Sequence, residues 1–192
     1  AGLTVSRVDA FGNEDLTMTG PGIITMFAYQ SQFEDAQNNI EDSMKSSNPQ
    51  KFLTACVSGV ASVEGYLNFK AEEWNKKEPT RPLIDSKDNP VRFEDKIDLW
   101  LPIMTNGRKL DKSIQTWEHF KRLLAVRDNI AIHPKKSGYS FSLYELVELI
   151  NCFRTGIAGL LLQLHQLFND RAPAIVIRAK FAPDAEVIVE ET

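Results

Sequence analysis

The segment that most constrains the fold runs from Pro49 to about Lys76. Proline occurs in it only at the first position, where its fixed φ suits the opening turn of a helix and Asn48 is placed to cap it. Leu53, Val57, Val60, Glu64, Leu67, Asn68 and Ala71 recur along it. At roughly 100° per residue these positions share one helix face. A helix of this length with one apolar face needs other elements laid against it, and the rest of the chain supplies mostly helices. Glu64 and Asn68 are the polar exceptions on the stripe. Two readings of them stay open: an edge position where the side chains reach water, or a buried or cleft-facing polar pair that must be hydrogen-bonded.

Further helices follow from the same period. Residues 23–46 place Ile24, Phe27, Phe33, Ala36 and Ile40 at helical spacing between the breaks "GPG" and "SSNPQ". Residues 111–132 carry an apolar face of Trp117, Phe120, Leu123, Leu124, Ile130 and Ala131, with Arg127 among them. "SLYE" at 142–145 has the spacing of a capping box and opens a helix to about Phe168. Its expected core residues are Leu146, Ile150, Phe153, Ile157, Leu161, Leu164 and Phe168, with Gly156 and Gly159 permitting a close helix crossing. Residues 77–110 hold four prolines and mixed charge. They read as an insert with one short helix near 93–100, serving as a lid, a reading loop or a partner surface. Alternating residues at 3–8, and the "IVIRAKF" and "EVIVEE" runs within 174–190, read as short strands that join the termini in a small sheet. The expectation is therefore a single mainly α domain over 1–192, an antiparallel bundle of four or five helices with a minor β element from the termini.

The chain is acidic, with a net charge of −4. That argues against coating nucleic acid or an anionic membrane through bulk charge. The charge is uneven: residues 105–140 hold eight Lys/Arg against three acids, +5, which leaves −9 on the remainder. Cys56 and Cys152 lie within helical apolar patterns and read as reduced, buried thiols. No zinc-ligand spacing is present, the acids at 94, 95 and 98 lack the spacing of a cation site, and no metal or other cofactor is expected. The first residues lack a basic start and an apolar run, and "GIAGLLLQL" is too short to span a bilayer. The expected setting is cytoplasmic, without membrane.

The stretch "RDNIAIHPKK" concentrates functional side chains at a helix end. Arg127 and His133 are six residues apart, about 120° from sharing a face of a straight helix. Pro134 disfavours helical geometry at His133, so the last turn is free to bend. An imidazole exchanges protons near neutral pH and a guanidinium grips phosphate, a pairing suited to phosphodiester cleavage without metal. Cleavage of that kind uses a ribose 2′-hydroxyl and requires RNA. A dimer bringing two such motifs into one cleft would supply a second histidine. The alternative is structural: Arg127 pairs with Glu64 in the core, and His133 caps the helix carbonyls. Of the other histidines, His119 reads as solvated beside Glu118, and His165 as a core or capping residue. Trp100, in the insert, is the tryptophan best placed by sequence to stack on a base.

An arginine, a polar residue directly after it, a few further residues and a histidine, late in a helical bundle, resemble the signature of the HEPN superfamily (higher eukaryotes and prokaryotes nucleotide-binding). The matching residues are Arg127, Asp128 and His133. Glu64 and Asn68 of "EGYLN" occupy a place comparable to the polar pair that many members carry on an earlier helix. The resemblance covers roughly 23–168. It implies a metal-independent endoribonuclease, homodimeric, with its site at the subunit interface, of the kind that serves in toxin–antitoxin systems, phage defence and RNA processing. Arg127 and His133 are then the catalytic pair, Asp128, Asn129, Glu64 and Asn68 support them, and Lys135 and Lys136 hold RNA. Asp128 departs from the Asn or His frequent at that position. A partner antitoxin or regulatory protein is compatible with this class. Some members have lost catalysis, so the alternative is a silent HEPN-like interaction or binding module.

Overall fold

A computed structural model describes residues 2–8 and 14–21, by backbone alone, and 27–187 except 87, 89, 135 and 136. Six helices make up most of it. α1 is Ala28–Ser46 and α2 is Pro49–Lys77. α3 spans 93–104, α-helical at Phe93–Asp95 and Leu101–Met104 and π-helical over Lys96–Trp100 between them. α4 spans 115–132, α-helical over Gln115–Val126 and π-helical over Arg127–Ile132. α5 spans 143–168, with a π-helical segment at Phe153–Ala158 inside it. α6 is Ala174–Lys180. None of these helices is long and apolar enough to cross a membrane.

The caps follow the local chemistry of the sequence. Asn48 Oδ1 accepts the Gln50 amide at 2.9 Å, with Pro49 at the first helical position of α2. Ser142 and Glu145 form a reciprocal capping box at the start of α5.

Contacts between the helices fix their directions. Asp35 bonds Ser58 and Tyr29 packs edge-on against Tyr66, so positions on α1 and α2 match in opposite order. Arg122 bonds Glu148 and His119 bonds Thr155, so α4 and α5 also run antiparallel. Gly59 faces Phe153 and Tyr66 stacks on His165, so α2 and α5 run parallel. This is an up-down-up-down arrangement of α1, α2, α4 and α5, with α3 inside the connection between the second and third. The core is one continuous cluster that includes Phe33, Phe52, Val63, Phe120, Phe153 and Leu161. α2 is buried more broadly than a single stripe, since Phe52, Ala55, Cys56, Val63 and Tyr66 are buried while Leu53 and Val57 are only partly so. Phe27, expected on the apolar face of the first helix, is 42% exposed.

Gly156 sits where α5 crosses α4. A Cβ there would lie 2.7 Å from the Phe120 backbone nitrogen and 2.9 Å from the His119 carbonyl carbon. Only a residue without a side chain lets the two backbones approach this closely.

Among the described residues no sheet joins the two termini. Gly2–Val8 pairs antiparallel with Glu14–Pro21, a strand partner close in sequence. "IVIRAKF" is helical through Lys180, and residues 182–187 have no regular structure. Pro173 is the N-cap of α6, and Val176 and Ala179, three apart, are buried on the bundle. Burial on a helical neighbour overrides the β preference of the branched residues. The end of "EVIVEE", from residue 188 on, lies outside the described residues.

Candidate functional site

The amphipathic face of α4 ends before Arg127. Trp117, Phe120 and Leu123 are buried, but no residue of Arg127–Ile132 is. In this segment the backbone follows the wider i→i+5 pattern, and its closing bond runs from the His133 amide to the Asp128 carbonyl at 3.1 Å. His133 leaves the helix at φ −124° and ψ 69°, in keeping with the constraint that Pro134 puts on its predecessor.

Arg127 is 20% exposed in its side chain, neither sealed in the core nor free in solvent. Its Nε donates to Asp128 Oδ1 at 2.8 Å, and its Nη2 lies 2.7 Å from the same oxygen. His133 is exposed, and its ring makes no hydrogen bond among the described residues. No hydrogen bond joins His133 to Arg127. Asn129 contributes its backbone carbonyl, which accepts the Tyr139 hydroxyl at 2.7 Å and ties the outgoing loop to the π segment. Lys135 and Lys136 lie outside the described residues.

Glu64 and Asn68 serve another group. The Nζ of Lys96 donates to Glu64 Oε1 at 2.8 Å and Asn68 Oδ1 at 2.9 Å, and lies 2.5 Å from Asp85 Oδ2. Lys96 is fully buried, with its ammonium over the Trp100 ring at 5.5 Å. The Arg127–Glu64 ion pair does not form, and Glu64 and Asn68 make no bond to the Arg127–His133 segment. Glu64 and Asn68 are both hydrogen-bonded, as a polar pair on an apolar face requires, while Glu64 remains a third exposed. Its partner comes from α3 rather than α4.

Lys96 is the residue that sequence reasoning passed over. Lys96, Ile97, Trp100 and Leu101 are all buried, at positions one and four apart. The short helix was expected near 93–100, but nothing in its spacing showed that this face of it is buried. Trp100 is consequently buried, at 7% exposure, and unavailable to a base. The insert is a strap held on α2. Asn75 grips Leu83 by both backbone groups, at 2.9 and 2.7 Å, and the Asp85 side chain accepts the Val91 amide at 2.9 Å. The Lys96 hydrogen bond holds the Asp85 carboxyl below the usual carboxylate range, with help from the Val91 amide. A cavity of about 310 Å³ lies between strap and α2, lined by Asn68, Asn75, Asp85 and Trp100.

The remaining candidates are structural. His119 is half-buried and bonded to Thr155 across the α4–α5 crossing, not solvated. His165 is buried in the core. Its Nδ1 lies 2.8 Å from the Leu161 carbonyl oxygen, and its ring stacks on Tyr66 at 4.1 Å. Burial pushes its pKa down. Cys56 and Cys152 are buried and unbridged, and burial raises the Cys56 thiol. Among the described residues no group of three or more His, Cys, Asp or Glu side chains is placed to hold a metal ion.

The sequence matches no protein-family model, and no curated protein and no solved structure is significantly similar to it.

Proposed function

We propose that the chain is a HEPN-type endoribonuclease acting through Arg127 and His133 without a metal. The observation that carries this reading is the state of the two side chains at opposite ends of one π-helical segment. His133 is exposed with its ring unengaged, and Arg127 is half-buried with its guanidinium held by a neighbour, Asp128, rather than by the core. His133 takes the proton from a ribose 2′-hydroxyl, the 2′-oxygen forms a bond to phosphorus, and the bond from phosphorus to the 5′-oxygen breaks. The products are a 2′,3′-cyclic phosphate and a 5′-hydroxyl end. Arg127 stabilises the charge that grows on the phosphoryl oxygens. A second copy of the chain supplies the histidine that protonates the leaving 5′-oxygen. Lys135 and Lys136 extend the basic stretch that follows the motif. A toxin or defence role in the cytoplasm, with an antitoxin or regulator as partner, fits an activity that must be restrained.

The test is RNA cleavage in EDTA by wild type, His133→Ala and Arg127→Ala, with end-group analysis. Cleavage that persists in chelator, leaves cyclic phosphate ends and is lost in both variants supports the proposal. Equal activity in all three proteins refutes it. One observation favours a silent interaction module instead: Glu64 and Asn68 are engaged by Lys96 and do not support the motif. Under that reading RNA is bound and left intact by the folded wild type.

A further inference from the structure

The contact between Arg127 and Asp128 is unusual for adjacent helical residues. Successive side chains on an α-helix point about 100° apart and do not meet. Here they do, at the first two positions of the π segment, with Nε and Nη2 of Arg127 converging on the single oxygen Oδ1 at 2.8 and 2.7 Å. That Nε–Nη2 edge of a guanidinium is one of the faces by which arginine takes a phosphate in a two-pronged grip. The carboxylate side chain is 46% exposed against 20% for the arginine, so Asp128 is the more solvent-accessible member of the pair. No other base pairs with Asp128 among the described residues. Its backbone carbonyl meanwhile accepts the His133 amide at 3.1 Å, so its main chain is fixed while its side chain faces water.

We infer that Asp128 is a built-in occupant of the anion-binding edge of Arg127, which an RNA phosphate must displace before it can be gripped. This inference rests on the ribonuclease reading and specifies how that site is regulated. Displacement costs little, because the released carboxylate is half-exposed and returns to water. The side chain is thus a competitor that weakens every phosphate contact at Arg127 by a modest constant factor. A constant factor leaves the preference among ligands unchanged, and extended RNA, with several other contacts, can still enter. The pairing also explains why an acidic residue is tolerated next to a phosphate site: its charge is absorbed by the arginine until substrate arrives.

The test is a double-mutant cycle in the full chain carrying His133→Ala, so that RNA is bound and not cut. Affinity for a labelled single-stranded RNA is measured by fluorescence anisotropy, at one salt concentration, for this parent, Asp128→Asn, Arg127→Ala and the double variant. Asp128→Asn is expected to tighten binding about two- to five-fold, the range set by an exposed ion pair. In the Arg127→Ala background the same change is expected to give less than about a twofold effect, because no guanidinium edge is left to uncover. Equal tightening in both backgrounds overturns the inference, since Asp128 would then act by long-range repulsion alone. Unchanged or weaker binding by Asp128→Asn, with affinity still lost in Arg127→Ala, also overturns it and makes Asp128 a residue that orients the arginine. RNA affinity indifferent to Arg127→Ala removes the ribonuclease reading itself, and the inference with it. Circular dichroism of each variant separates loss of binding from loss of fold.

Discussion

Replacing Lys96 by methionine tests whether the insert is fastened to the bundle by one buried cation. Methionine keeps most of the aliphatic volume against Trp100 and removes the ammonium. Three bonds are lost, to Glu64, Asn68 and Asp85 at 2.8, 2.9 and 2.5 Å. The two carboxylates, both in contact with the same nitrogen, are left facing each other. Removing one partner of a fully buried ion pair costs about 3–5 kcal/mol. The two carboxylate side chains are 33% and 29% exposed, so water recovers part of their solvation. The expected loss is therefore about 2–3 kcal/mol. For a chain of this size that lowers the Tm by about 5–10 °C. The assay is thermal and urea unfolding by circular dichroism, with limited proteolysis mapped across residues 77–92. The variant should unfold earlier and be cut faster in the strap. Neutralising the acids in the same protein, Glu64→Gln with Asp85→Asn, should restore more than half of the loss, because an amide set needs no cation. A Lys96→Met protein within about 0.5 kcal/mol of wild type, the range of an ordinary surface change, would refute the fastening role. So would a triple variant less stable than the single one.

Gly156→Ala should destabilise by about 1–3 kcal/mol through overpacking, because its Cβ meets the α4 backbone. Gly138→Ala, where a Cβ meets nothing within 4 Å, is the matched control in the same urea series. Asn75→Ala should raise the rate of proteolysis within 77–92 while lowering global stability by no more than about 1–3 kcal/mol, the worth of two hydrogen bonds. His165 should impose an acid limit on stability. Its folded pKa is pushed down by burial, so the stability tied to its neutral form is complete above its ordinary value of about 6.5. It is lost as the pH falls from there through the folded value. Tm measured from pH 8 to pH 5 should fall less steeply in His165→Gln than in wild type, and identical slopes would exclude this residue as the cause.

The main helices were legible because each repeats one pattern many times. Phe33, Ala36 and Ile40 on α1, and Leu146, Ile150, Phe153 and Ile157 on α5, are buried as their spacing demands. Ser142 with Glu145, and Asn48 with Pro49, mark starts by chemistry that acts within four residues. Short elements lack that redundancy. "IVIRAKF" has too few residues for a period to outweigh its branched side chains, and only contact with the bundle makes it helical. The strap was legible in part: its short helix lies where it was expected, near 93–100, but the burial of Lys96 and Trp100 on one face, interrupted by a π segment, was not.

The π segments account for what the sequence could not reveal about the candidate site. A widened turn leaves no mark in residue propensities, yet it changes which side chains meet. Periodicity placed Arg127 on the same face as Trp117 and Phe120, and on that basis offered it to Glu64. The burial of α4 instead ends at its α-helical part, and Arg127 turns to the residue beside it. Glu64, left without Arg127, still required a partner, because a half-buried carboxylate on an apolar face is costly unless paired. Arg127 and Lys96 are two of the chain's 22 Lys and Arg residues, and no spacing rule ranks a residue 63 positions from Glu64 against one 32 away. The choice was made by packing: Trp100, Ile97 and Leu101 carry Lys96 into the bundle as they are buried. The guanidinium of Arg127 is thereby kept out of the core ion pair and is held instead by Asp128, its neighbour in the π segment.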